Sequence, residues 1–271
     1  NGFMVVARPL ERMLGSAVGA ATGDLASRGI FKQSLRQYTY LGAAFTDAFG
    51  VAKRAFIDND SVLAPHRTEA YAGNRAALRS LGGYKAWDSP GSILHNALVA
   101  TVPVVGLPTR FLGFTDELAK QVTYRSKVMA AAHEEALALG LEAGHTGKAL
   151  GDYVGAAVRK RLEGAFDGQG RGTDAQALKE AQTATFQTEL ALGSLGKWVQ
   201  TGADTFFPLK VMLPFVKTPT NILRYGWKLT PGLNMVQREF RDMLTGKMGA
   251  EAQAQATGQM MLGGLFMGTA A

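Results

Sequence analysis

Four histidines, at positions 66, 95, 133 and 145, are the whole imidazole complement of this 271-residue chain, and it has no cysteine. A thiol nucleophile, a disulfide framework and a Cys-ligated zinc site are therefore excluded, and the scattered His residues form no His-rich metal motif. Several catalytic patterns come close and then lack a group the chemistry needs. Gly144–Lys148 and Gly193–Lys197 each end in Gly-Lys, but neither has P-loop spacing. Ala149 and Trp198 stand where a Ser or Thr hydroxyl would hold magnesium. Gly168-Gln169-Gly170-Arg171-Gly172 follows no strand and misplaces the third glycine of a dinucleotide fingerprint. His133-Glu134-Glu135 has no second His one helical turn on, so it is not a zincin motif. Leu14 and Leu192 occupy the positions before Ser16 and Ser194 where a nucleophile elbow needs Gly. No carboxylate pair is marked out for glycoside hydrolysis. The sequence thus assigns no catalytic residue, no metal and no cofactor, and the chain reads as a non-enzyme.

The remaining chemistry is charge. The formal net charge is +7, and it is uneven. Residues 1–60 carry +2, 61–125 carry +3, 126–205 carry −2, and 206–250 carry +5; Glu251 is the one charge beyond. The block 206–250 interleaves Lys210, Lys217, Arg224, Lys228, Arg238 and Arg241 with Phe206, Phe207, Phe215, Tyr225, Trp227 and Phe240. Two readings of this block stand. It could contact phosphates and bases without sequence preference, or its aromatics could be core and its bases a solvated face.

The elements that must position these groups are helices. Ala (41 residues) and Gly (33) make up roughly 27% of the chain. No run of alternating β-branched residues is long enough for a sheet. The fold class is mainly α, with many short to medium helices, Gly/Pro-rich connections, and an extended arrangement rather than one compact bundle. A stripe of Leu10, Leu14, Val18, Ala21 and Leu25 predicts a helix over 10–28. Gly15, Gly19 and Gly23 recur at four-residue spacing within it, a face that another helix could approach closely. Further helices are predicted over 33–57, 67–80, 148–165 and 174–192, with Asp167–Gly172 as a flexible loop. Residues 93–107 are apolar, a buried connector or short helix broken by Pro103 and Pro108 rather than a membrane segment. Thr115 is placed as the N-cap of a helix running to Gly140, with Asp116 and Glu117 in its first turn. Three regions result: a helical 1–105, a helical hairpin 106–205, and a basic aromatic 206–271. The start at Asn1, without a signal-like segment, reads as a piece of a longer or processed polypeptide.

Residues 213–223, Leu-Pro-Phe-Val-Lys-Thr-Pro-Thr-Asn-Ile-Leu, are unusual. Thr218-Pro219 reads as an N-cap followed by the first helical residue, and Thr230-Pro231 repeats the pattern for a helix to about Gly246. This stretch, with Pro214, Phe215, Thr218, Pro219 and Asn221, resembles a segment near the C-terminal parts of large polyvalent and internal core or ejection proteins of short-tailed bacteriophages. A second block, 107–140, is similar to the same family through Arg110 in Pro-Thr-Arg, Thr115-Asp116-Glu117, and Tyr124-Arg125. Together the blocks cover about a fifth of the chain.

The resemblance implies an internal virion protein that leaves with or ahead of the genome and assembles into a conduit through the host envelope. Its expected sites are the virion interior and, after ejection, the periplasm or membrane. Expected partners are copies of itself, other core, ejection or portal proteins, DNA without sequence preference, and the host membrane. The family's parent polypeptides often carry a peptidoglycan hydrolase or virion RNA polymerase elsewhere, so an accessory region of such an enzyme is an alternative. A second alternative is a membrane-active pore module built on the apolar tail of Met260, Met261, Leu262, Leu265, Phe266 and Met267.

Overall fold

Gly23 and Asp24 divide the first helical stretch, which the apolar stripe had carried on to residue 28. In the computed structural model, which describes residues 2–58, 61–63, 91–93, 96, 107–185 and 217–269, α1 spans Gly2–Thr22 and α2 spans Leu25–Asp58. Gly23 adopts a φ of +99°, which side chains resist, and Asp24 then caps α2 by accepting the Ser27 N–H at 2.8 Å. Arg28 closes the turn by donating to the Ala20 carbonyl at 3.0 Å. The other helices are α3 (Leu107–Glu142), α4 (Gly147–Gly164), α5 (Ala175–Ala184), α6 (Lys217–Leu229), α7 (Arg238–Leu244) and α8 (Ala250–Thr269). A 3-10 turn, Leu233–Val236, precedes α7.

The chain is mainly α, and among the described residues the one β feature is an isolated bridge between Phe166 and Gly172. Two helices exceed the expected short to medium lengths: α2 has 34 residues and α3 has 36. Interior glycines cost about 1 kcal/mol each, which tertiary packing of a long helix offsets. Predicted boundaries also move: the helices read over 10–28 and 33–57 begin earlier, at Gly2 and Leu25. Thr115 is no N-cap, because α3 begins at Leu107 and places Pro108 in its first turn, where a missing N–H is harmless. Thr218 and Pro219 lie inside α6, which begins at Lys217. Thr230-Pro231 opens no long helix: Gly232 at φ +86° diverts the chain into the 3-10 turn and the 7-residue α7. The predicted helix over 67–80, Pro103, Phe206, Phe207, Lys210, Pro214 and Phe215 lie outside the described residues.

Packing follows from small residues. α2 and α3 run antiparallel, tied by Arg36 to Glu134 at 3.3 Å and by Tyr40 to His133 at 2.8 Å. Ala44, Ala48, Ala52 and Ala55 are fully buried along α2 and make room for its neighbours. The principal core joins Ala44 and Ala48 to Ala119, Val122, Met129, Ala132 and Ala136 of α3 and to Val154 and Val158 of α4. The expected glycine face resolves into three separate uses. A methyl group at Gly15 would collide with the Ala254 carbonyl, and one at Gly258 with the Glu11 carbonyl, so these two glycines let α1 and α8 cross in close contact. Gly19 instead faces Ser27 within the α1–α2 hairpin, and Gly23 forms its turn.

The connection at 166–172 is ordered rather than flexible. Asp167 accepts the N–H groups of Gln169 and Arg171 at 2.9 and 2.8 Å. The buried Tyr124 hydroxyl donates to the Ala165 carbonyl at 2.5 Å and accepts from the N–H groups of Thr173 and Asp174, each at 3.0 Å. Asp174 then caps α5, accepting from Gln176 and Ala177 at 3.1 and 3.0 Å, and the helix ends at Ala184, short of the predicted residue 192.

Candidate functional site

Among the described residues the densest polar site is a buried cluster where α1 and α8 cross. Arg8, Glu11, Arg12 and Gly15 share one face of α1; Glu251, Gln255, Gly258 and Gln259 share one face of α8. The glycines bring the backbones together and the charged side chains close around them. Arg12 donates through both terminal nitrogens to Glu180 of α5, with Nη1 at 2.8 Å from Oε2, and also to Glu251. Its Nη2 also donates to Gln37 of α2 at 2.7 Å. Lys127 of α3 lies 2.7 Å from Glu251 and 3.3 Å from Glu180. Beside Arg12 on the same face of α1, Glu11 accepts from Gln259 at 3.0 Å, from Gln255 at 3.2 Å and from the Tyr225 hydroxyl of α6. Arg8 donates to Gln255 at 3.2 Å. The three regions read from the sequence all contribute to this one cluster.

Its charges cancel: Arg8, Arg12 and Lys127 against Glu11, Glu180 and Glu251. Burial pushes the Glu180 carboxyl up, but Arg12 and Lys127 outweigh it and hold that carboxyl well below the usual range. Arg12 is held more firmly protonated than usual, since Glu180 and Glu251 outweigh its own desolvation. Glu11 goes the other way. Burial raises its carboxyl despite the hydrogen bonds from Tyr225, Gln259 and Gln255 and the charge of Arg8. Burial and Glu11 together raise the Tyr225 phenol, and burial lowers Arg8. Every acid here is matched to a base or to neutral donors, and the arrangement fastens α1 to α5 and α8.

The basic block is largely engaged with its own acids and carbonyls. Arg224 and Lys228 of α6 both reach Glu239 of α7, at 2.9 and 3.1 Å. Those bases hold the Glu239 carboxyl below its usual range against the effect of burial. Arg241 donates to the carbonyls of Met235 and Val236 at 2.7 and 3.3 Å, finishing the 3-10 turn. Arg238 is well exposed, 3.8 Å from Asp242. Lys217 and Asn221 fall in the opening turns of α6, and Lys210 lies outside the described residues. Of the block's aromatics, Phe240 is fully buried with Met243 and Ala256, whereas Trp227 is exposed.

The 107–140 block is the central helix α3, with Arg110 in its first turn. Asp116 pairs with Lys120 at 2.8 Å, both buried. Glu117 accepts from the Ser61 hydroxyl at 2.6 Å and the Leu63 N–H at 2.9 Å, so it anchors the chain beyond α2 rather than compensating a helix dipole. A groove of about 480 Å³ lies between α3 and α4, lined by Ala136, Leu139, Tyr153, Ala157, Lys160 and Arg161 among others. Among the described residues no three His, Asp or Glu side chains are grouped to hold a metal ion. No helix among them is long and apolar enough to cross a membrane.

Sequence reasoning passed over Glu11, Arg12, Lys127 and Glu180. Their signal was charge placed on otherwise apolar or Ala-rich faces, and Glu251 was visible as the one charge in a 21-residue tail. No protein-family model, no curated protein and no solved structure matches this chain significantly.

Proposed function

We propose that this chain is a self-assembling structural module of the internal core or DNA-ejection apparatus of a short-tailed bacteriophage. In this reading it is packaged in the virion interior and carried into the host envelope with the genome, in contact with copies of itself and with neighbouring core or portal proteins. The observation that carries the reading is apolar surface left uncovered on long helices. Leu35, Tyr38, Phe45 and Phe49 of α2 and Met260, Met261 and Met267 of α8 are all exposed. Large apolar side chains recurring along one edge of a helix and left exposed there mark an interaction surface rather than a monomer's ordinary exterior. The resemblance of 107–140 and 213–223 to phage ejection proteins supports placing the chain in that assembly. The balanced charge cluster supports a structural role, since it ties together helices from all three regions of the chain. DNA contact falls to the exposed side of the basic block, Arg238 first, because Arg224 and Lys228 are already shared with Glu239.

Electron cryomicroscopy and mass spectrometry of the phage particle test this. The expected result is density for the module at a symmetric position above the portal, lost from emptied capsids and recovered in the host envelope fraction. Absence from particles, retention after genome release, or catalytic turnover by the isolated chain overturns it.

A further inference from the structure

Phe31, Leu35, Tyr38, Gly42, Phe45 and Phe49 recur along α2 at alternating steps of four and three residues. That is the a/d spacing of a coiled-coil seam, which keeps one edge of a helix turned toward a partner. The seam does not coincide with the face that α2 gives to its own core, which is built from Ser34, Gln37, Ala44, Ala48, Ala52 and Ala55. Leu35 and Tyr38 are each 45% exposed, Phe45 50% and Phe49 51%, and a methyl group at Gly42 would meet nothing within 4 Å. α3 lengthens the seam at one end. Phe49 stands edge-on to Phe114 at 5.6 Å between ring centroids, and Phe114 stacks on Phe111 at 6.3 Å. Phe111 is itself 60% exposed.

We infer that this seam docks a second copy of the same chain, α2 against α2, antiparallel about a two-fold axis; the inference rests on the self-assembly proposed above. The direction follows from shape. Antiparallel pairing sets Tyr38 against Gly42 of the second copy, Leu35 against Phe45, and Phe31 against Phe49. The largest polar-tipped ring then fills the one open position, and no layer is left empty. Parallel pairing would set Gly42 against Gly42, leaving a hole, and Tyr38 against Tyr38. The area is sufficient. An aromatic side chain offers roughly 150–250 Å², so each half-exposed seam residue supplies about 100 Å². With Phe111 the seam provides roughly 500 Å² per copy and about 1,000 Å² across the pair, the size that a specific interface must reach. A two-fold contact closes on itself and leaves the exposed end of α8 for a different contact.

Sedimentation of the full chain across a concentration range tests the inference, with circular dichroism as the control for folding. The expected result is a dimer, with Phe45→Glu raising its dissociation constant at least about 30-fold at unchanged helix content. Because the chain has no cysteine, Leu35→Cys and Phe45→Cys are clean probes of direction under a mild oxidant such as diamide. Mixed together, the two variants link to each other, and neither links to itself. A monomer at every concentration, self-linking of either variant, or a dimer unaffected by Phe45→Glu overturns the inference. A chain that is monomeric in solution yet sits in the particle's core overturns the docking alone. A dimer absent from particles overturns the proposed function alone.

Discussion

Glu180→Gln isolates the charge cluster in a single atom exchange. The side chain keeps its shape and loses the charge that Arg12 and Lys127 share. In the native cluster Glu180 accepts from both terminal nitrogens of Arg12, from Gln37 at 3.2 Å, and faces Lys127 at 3.3 Å. In the variant two buried cations are left with Glu251, whose side chain is partly exposed. Removing one member of a buried pair costs about 3–5 kcal/mol. A urea slope of about 1–3 kcal/mol/M turns that into a midpoint lowered by at least about 1 M. The corresponding melting temperature falls on the order of 10 °C.

The pH dependence carries its own sign. The folded Glu180 carboxyl lies below its unfolded value of about 4.3, so its stabilisation is complete above that value and is lost as the pH falls toward the folded one. Glu251 shifts in the same direction. The gap between native and variant proteins is therefore constant near neutrality and narrows below about pH 4. Urea titrations followed by circular dichroism at several pH values measure both effects. A loss under about 1 kcal/mol at pH 7, or a gap that does not narrow in acid, refutes the reasoning. Replacing Arg12 by Met together with Glu180 by Leu should recover much of the stability, because an apolar substitute avoids desolvating two charges.

Gly15→Ala, at the α1–α8 crossing, is expected to cost about 1–3 kcal/mol through overpacking, whereas Gly50→Ala, where a methyl group meets nothing, should stabilise α2 by about 0.5–1 kcal/mol; paired thermal melts of the two check this. Tyr124→Phe strips the hydroxyl that serves Ala165, Thr173 and Asp174. It should cost about 1–3 kcal/mol and speed amide exchange at Thr173 and Asp174 more than within α3. Glu239→Gln releases Arg224 and Lys228. Sequence-independent DNA binding should then strengthen and its salt dependence steepen by up to about two phosphate contacts, read by fluorescence anisotropy; unchanged binding removes the basic block from the DNA path.

The helical class was legible because Ala-rich periodicity is a local pattern, and so was a helix start at Asp174. Thr115 misled for the same reason. It has the residue type and downstream acids of a cap, but α3 continues upstream through Pro108, and the acids Asp116 and Glu117 are consumed by Lys120, Ser61 and Leu63. Gly15 was recognisable as a close-approach residue, yet its partner, Gly258 with Ala254, lies more than two hundred positions away, beyond any local pattern. The same distance hid the charge cluster. Glu11 and Arg12 resemble surface residues until α8 is laid across them, and only then does the lone Glu251 acquire a purpose. The basic block showed its composition plainly, but not that Glu239 would take up two of its cations.

The crossing of α1 and α8 also sets how the molecule responds to being pulled. Glu11 lies against Gly258 and Gly15 against Ala254, so the helices are antiparallel and the start of α1 sits beside the end of α8. Tension applied through Gly2 and Thr269 therefore peels the two helices apart turn by turn instead of sliding them past each other under simultaneous load. Peeling breaks contacts in succession and yields at low force. Pulling from that end first strips Met4 and Ala7 from Ala184 of α5 and Tyr225 of α6; the Arg12 cluster comes next. Once it opens, α1 is no longer tied to Glu180 of α5 or to Glu251 of α8.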